Sequence, residues 1–199
     1  MTFLPSTYSY GATSFSSVRV SQNGWPASSS PSDVDIVTVS LPLQRGTKKI
    51  QVARKAADAL QEIVTWWDAN VEPVTELGSY NYREIRGYEG TGTLSNHSSG
   101  TAVDINASKH PLGAEGTVSA AMQALIIAKA ASLGLRWGGE YRNRKDEMHF
   151  EVVLAPTADM FRKVGTNIAI LWLGTGLVGL VGFAGFLAVK KYKKARSHG

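Results

Sequence analysis

Cysteine is absent from this chain of 199 residues. Its absence excludes a disulfide framework and any thiolate metal site, and it leaves the compartment open, because many exported proteins also lack disulfides. An apolar h-region is lacking as well: residues 1–30 are Ser-rich and polar, so no secretory signal is visible. Acidic residues stop at Asp159, which changes how the formal charge of +5 reads. Lys190, Lys191, Lys193, Lys194 and Arg196 account for the excess, and the 16 basic residues that remain match 16 acidic ones. Nucleic-acid enzymes carry positive charge on the folded domain itself, so nucleic acid is not expected as a partner. Internal repeats are also missing. The apolar fraction of 43% suffices for a packed core, and the length suits one domain with a small appendage.

One long apolar run is present. Ile168–Val189 is 22 residues without a charge, reaching roughly 33 Å as a helix, close to the hydrocarbon thickness of a bilayer. It reads as a transmembrane helix in contact with membrane lipid. Five basic residues follow it and only Arg162 and Lys163 closely precede it, which places the C-terminus in the cytoplasm and the N-terminal domain outside. Gly176, Gly179, Gly182 and Gly185 recur every three residues. Such a stripe lets copies of a helix associate closely, or is simply a glycine-rich membrane helix.

Residues 1–45 read as an irregular lead-in with a short strand at Ile36–Leu41. Ala53, Ala56, Leu60, Ile63, Val64 and Trp67 keep helical spacing, so an amphipathic helix is expected from Lys49 to about Ala69. An extended stretch, Thr75–Ile85, precedes a Gly-rich loop, Gly87–Gly92. Thr101–Ile105 alternates like a strand. A second helix is expected over Val118–Ser132, closed by Gly134, and Leu135–Gly138 and Met148–Leu154 read as short strands. The expected class is α+β, with helices packed on a small, mostly antiparallel sheet. The domain spans 46–159, joined from about residue 21 by the lead-in; 160–167 is a linker, 168–189 the membrane helix and 190–199 a basic tail.

Two short blocks carry the chemistry. Ser95-Asn96-His97-Ser98-Ser99-Gly100-Thr101-Ala102-Val103-Asp104 holds one imidazole and one carboxylate, and Asp146-Glu147-Met148-His149 holds a second imidazole with two more carboxylates. Two imidazoles and a carboxylate suit a catalytic zinc ion whose fourth position stays open for water. A further carboxylate close to a ligand can take a proton from that water. Gly100 allows a tight turn, so that a loop ligand and a strand ligand converge. Asp146 and His149 would face opposite ways on a strand, which puts Asp146 in the turn leading into it. His110, His198 and Glu140 are set aside, Glu151 is expected to steady the site rather than to react, and Trp66, Trp67 and Trp137 are expected in the core.

These blocks resemble the zinc peptidases of the D-alanyl-D-alanine carboxypeptidase group, which includes L-alanyl-D-glutamate endopeptidases of phage endolysins. The hallmark Ser-x-His-x-x-Gly-x-Ala-x-Asp is matched by Ser95, His97, Gly100, Ala102 and Asp104, and the acidic-x-x-His strand by Asp146 and His149. The similarity runs from about Ser21 to Val153 and includes Gly134-Leu-Arg-Trp-Gly-Gly139. It implies the zinc fold of D,D-peptidases and hedgehog-type domains, with zinc held by His97, Asp104 and His149 and Asp146 as general base and later acid. It also implies an Arg that steadies the substrate carbonyl, assigned to Arg83 with Arg86 in reserve, and an orienting hydroxyl at Ser95. The implied substrate is the peptidoglycan stem peptide, cut at L-alanyl-D-glutamate in a phage-infected host. A cellular D,D-carboxypeptidase or dipeptidase is the alternative enzyme. A non-catalytic, membrane-anchored virion or lysis protein is the alternative outside enzymes.

Overall fold

The computed structural model describes residues 18–153. The membrane helix, linker and basic tail expected at the C-terminus, and His198, lie outside the described residues. Among the described residues no helix is long and apolar enough to cross a membrane.

Strands β1 (Arg19–Val20) and β2 (Pro26–Ala27) form a small antiparallel pair. Strands β3 (Ile36–Leu43) and β4 (Gly46–Ala53) form a hairpin in continuous register, from Ile36 opposite Ala53 to Leu43 opposite Gly46. A single 3-10 turn, Arg54–Ala56, leads into helix α1 (Ala57–Asn70). Then come β5 (Leu77–Gly78), β6 (Ala102–Ile105), helix α2 (Ala120–Ser132), β7 (Leu135–Trp137) and β8 (His149–Val152). The last four strands make one antiparallel sheet in the order β5-β6-β8-β7. Described residues thus form an α+β unit of antiparallel sheets and few helices, as the patterning predicts.

The helix expected from Lys49 begins eight residues later, at Ala57. Buried Ile50 and Val52 alternate with exposed Lys49 and Gln51, a period of two, and a partner strand was available in β3. Ala53 and Ala56 stand three residues apart and continue the spacing of the α1 face backwards, which is why the helical spacing extended too far back. From Ala57 onward the expected face is the real one: Leu60, Ile63, Val64 and Trp67 are fully buried. The hairpin also begins inside the stretch read as lead-in, since β3 starts at Ile36. The extended stretch Thr75–Ile85 contributes only Leu77–Gly78 to a sheet. Beyond it, Asn81 N–H donates to the His97 carbonyl (3.1 Å), Arg83 N–H to Ser98 Oγ (2.9 Å) and Ser95 N–H to the Arg83 carbonyl (3.0 Å). The chain here binds a turn instead of a strand.

Alternation divides the large sheet into two faces. Phe150, opposite both Val103 and Trp137, sits in the core, and its ring meets Trp67 of α1 edge-on at 5.7 Å. Asp104, His149 and Glu151 point to the other side. The hairpin braces this arrangement at Gly100, whose carbonyl accepts from Ala53 N–H at 2.8 Å. Gly100 has φ +66°, and a Cβ there would lie 2.5 Å from Ile36 Cδ1 and 2.6 Å from the Ala53 nitrogen. Replacement Gly100→Ala should therefore cost about 3 kcal/mol of domain stability, from backbone strain and a clash with backbone that cannot move aside. A denaturation midpoint unchanged from the parent would refute that packing.

Candidate metal centre

Antiparallel pairing of β6 with β8 sets Asp104 directly opposite His149, so two residues 45 apart in sequence become cross-strand neighbours. His149 Nδ1 lies 2.8 Å from Asp104 Oδ1. The third group arrives on a 3-10 turn, Asn96–Ser99, with Ser95 at its N-cap and Gly100 closing it in the left-handed region. Its His97 Nε2 lies 3.1 Å from the same Asp104 oxygen. One ligand atom from each of His97, Asp104 and His149 falls within 4.8 Å of the others.

Both imidazoles are aimed by their second nitrogen. His97 Nδ1 is 2.8 Å from the Ser79 carbonyl; a carbonyl only accepts, so Nδ1 carries a proton and Nε2 is turned toward Asp104. Ser79 is itself held by β4, whose Gln51 N–H donates to Ser79 Oγ at 3.0 Å. His149 Nε2 faces Glu151 Oε2 at 3.4 Å, and Glu151 is fixed by Asn96 Nδ2 and by Arg136 Nε at 2.8 Å. Gly78, on the other side of Asp104, leaves no slack: a Cβ there would lie 3.2 Å from Asp104 Cβ.

The carboxyls divide by environment. Burial would raise Asp104, but the neighbouring His97 charge and the His149 hydrogen bond hold it far below the usual carboxylate range. Burial pushes Asp146 up to about 6, helped by the negative Asp104 and opposed by His149 and His97. Asp146 lies, as expected, in the turn before β8, where its carbonyl accepts from His149 N–H at 3.0 Å. Its Oδ1 is buried and has no hydrogen-bond partner among the described residues.

Arg83 is half-buried, and burial lowers its pKa while Arg86 adds to that effect. The charges of Asp104 and Asp146 act on it in the opposite sense. Its Nη1 donates to the Glu84 carbonyl at 3.1 Å, and its buried Nε has no partner among the described residues. Arg86 is exposed, and its carbonyl accepts from Arg144. Ser95 Oγ accepts from the His97 backbone N–H at 3.3 Å, so its hydroxyl holds the turn rather than the imidazole. His110 stands apart, between Thr117 Oγ1 (2.8 Å) and Glu72 Oε1 (3.2 Å). Trp67 and Trp137 are core residues, whereas Trp66 is partly exposed.

Sequence reasoning passed over Ser79, Asn96, Arg136 and Tyr141. The Tyr141 ring lies 6.2 Å from that of His149, and Arg136 stacks over it at 4.9 Å. Asn96 lies inside the first block and Arg136 two residues before Gly138, but neither bears a signal without knowledge of Glu151 as their common partner.

The donor set fits zinc: two imidazoles whose orientations are held by their neighbours, one of which gives up a proton on binding, one carboxylate kept ionised, and an unpartnered buried oxygen on Asp146 three residues before His149. Residues 89–152 match the model of a family described as D-alanyl-D-alanine carboxypeptidase. This range takes in His97, Asp104, Asp146 and His149 and leaves out Arg83. No curated protein and no solved structure matches the chain.

Metal-stripped protein carries a testable titration. Burial alone would lower His149, yet its hydrogen bonds to Asp104 and Glu151 raise it to about 10, from an ordinary 6.5. A raised folded-state pKa gives stability that is full below 6.5 and lost as pH climbs toward 10. Thermal unfolding of the stripped protein should show that decline. Calorimetric zinc titrations at pH 7.5 in buffers of different ionisation enthalpy should show proton release, since zinc must displace the His149 proton. Zinc uptake without released protons would contradict the assignment.

Proposed function

We propose that this chain is a zinc-dependent peptidase that hydrolyses the stem peptide of bacterial peptidoglycan. The observation that carries the reading is the half-buried Asp146 carboxylate, whose buried Oδ1 has no hydrogen-bond partner among the described residues, close in the chain to the convergent His97, Asp104 and His149. The family match to residues 89–152 supports a peptidase acting on this class of substrate. The finer reading is a phage endolysin that cuts the L-alanyl-D-glutamate bond in an infected host. It is tethered by residues 168–189 with the domain facing the wall, and the glycine stripe allows self-association. The family description itself favours a second reading, release of a terminal D-alanine.

His97, Asp104 and His149 would hold the metal, which when bound supplies Lewis acidity and makes water a better acid. Asp146 takes the proton of the attacking water on its carboxylate and returns it to the leaving amine. Its buried Oδ1 meets no donor among the described residues, so no neighbouring group competes for that oxygen. Arg83 faces the negative charge that develops on the scissile carbonyl oxygen. Glu151, clamped by Asn96 and Arg136, keeps His149 from turning. No covalent acyl-enzyme is required.

Full-length protein, zinc-loaded in detergent, should release new termini from purified peptidoglycan, read by mass spectrometry. New amino termini at D-glutamate support the endopeptidase, and free D-alanine supports the carboxypeptidase. Asp146→Ala should lower kcat about a thousandfold while zinc binding persists. Arg83→Ala should cost about a hundredfold, and Arg86→Ala little. A chelator should abolish cleavage and added zinc restore it. Absence of any cleavage by folded, zinc-loaded protein would overturn the enzymatic reading.

A further inference from the structure

Helix α2 is unusually poor in polar groups for one that packs through so small a face. Its sequence, AAMQALIIAKAAS, has one charge, and only Ile126 and Ala130 are buried. Ala121, Ala124, Leu125 and Ala128 are exposed and recur at the three- and four-residue spacing of a single stripe, with Leu125 56% exposed. The one charge is turned back into the domain: Lys129 Nζ meets Glu62 Oε1 of α1 at 2.7 Å. The stripe is therefore apolar and carries no charge of its own.

The described residues end beside this helix. Val153 N–H donates to the carbonyl of Gly134, two residues past the end of α2, and Val153 is 53% exposed. From there fourteen residues separate Val153 from Ile168, where the 22 uncharged residues begin. Fully extended they span roughly 50 Å. A domain tethered in this way stays close to the bilayer, where even a weak apolar contact acts at high effective concentration.

We infer that the exposed stripe of α2, with Val153, docks on the lipid surface of the membrane that holds the tether. This rests on the proposed tether and goes beyond it. Docking through α2 has a consequence for the site. Trp67 of α1 covers the Phe150 side of the large sheet, and α2 is tied to α1 through Lys129 and Glu62. The side bearing His97, Asp104 and His149 is the opposite one, so a docked domain turns its metal centre away from lipid and toward the wall. The stripe has no charge, so attraction to it is hydrophobic and insensitive to salt.

The absence of native cysteine makes the test direct. Full-length Leu125→Cys, Ala128→Cys and, as a reference in the loop beside Arg144, Tyr88→Cys are each labelled with an environment-sensitive fluorophore. They are reconstituted in phosphatidylcholine vesicles with or without quencher-bearing lipid. Carbonate-resistant flotation reports the tether separately. The expected result is blue-shifted emission and lipid quenching at positions 125 and 128, unchanged in high salt, with little of either at 88. Floating protein whose positions 125 and 128 behave like 88 overturns the docking face and leaves the tether standing. Unlabelled Leu125→Cys that instead forms a disulfide between copies would assign the stripe to self-association, and also overturns it. Protein that does not float removes both. Zinc binding by each variant confirms that it is folded.

Discussion

The fold is organised around one carboxylate that keeps only 14% of its side chain exposed. Asp104 lies between two imidazoles, 3.1 and 2.8 Å from their nitrogens, and taking a carboxylate out of water costs several kcal/mol unless it is paired. Its partners come from a turn and from a neighbouring strand, so the pairing holds only while β6 and β8 keep their register. A slip of one residue would carry His149 and Glu151 to the core face and Phe150 to the site. Apolar burial of Phe150 and Val152 and ion pairing of Asp104 therefore enforce the same alignment from opposite faces of one strand. The hairpin contributes by a second route, because β4 fixes Ser79, and the Ser79 carbonyl fixes the tautomer of His97.

Two aspartates within one small site are driven in opposite directions, and this divides their labour. Asp104 has positive or hydrogen-bond-donating neighbours and stays ionised. Asp146 has burial and a negative neighbour, and its free oxygen has no donor, so it sits at a pKa where accepting and returning a proton are both accessible. Environments that separate like groups in this way are how acid–base roles are assigned at neutral pH. Glu151, a third carboxyl, is held down to about 2: burial would raise it, but His149 and Arg136 prevail. It acts on the ligand rather than on substrate.

Much of this was legible in the chain. The candidate ligands stood out through their combination, because each His or Asp alone has bland explanations and two blocks of matching chemistry together have few. α2 and its glycine stop read clearly because helical periodicity and a left-handed terminus agree there, with Gly134 at φ +69°. The start of α1 did not, since alanines at 53 and 56 continue its helical spacing backwards and only the partner strand shows that the chain is extended up to Ala53. Residues 79–83 were misread for a related reason. Their hydrogen bonds run to the side chain of Ser98 and to the backbone of the Asn96–Ser99 turn, and no local pattern reports a partner fifteen residues away. Asn96 and Arg136 were invisible because their role exists only through Glu151.

The paired glycines after β7 show how tightly Asp146, the proposed base, is tied to the core. A Cβ on Gly138 would lie 2.4 Å from the Asp146 carbonyl oxygen, and one on Gly139 would lie 2.3 Å from the Trp137 ring. Asp146 N–H donates to the Gly138 carbonyl at 3.1 Å, while Trp137 Nε1 donates to the Glu147 carbonyl at 2.8 Å. The turn carrying the base is thereby fastened at successive residues to a strand whose tryptophan is fully buried. Glu147 extends the fastening, accepting from the backbone of Gly116 (2.8 Å) and Val118 (3.0 Å) ahead of α2. A loop residue in this setting has little freedom to swing. The unpartnered oxygen of Asp146 is thus held in place by the packing around its backbone, so it can remain free of hydrogen bonds without being lost to solvent.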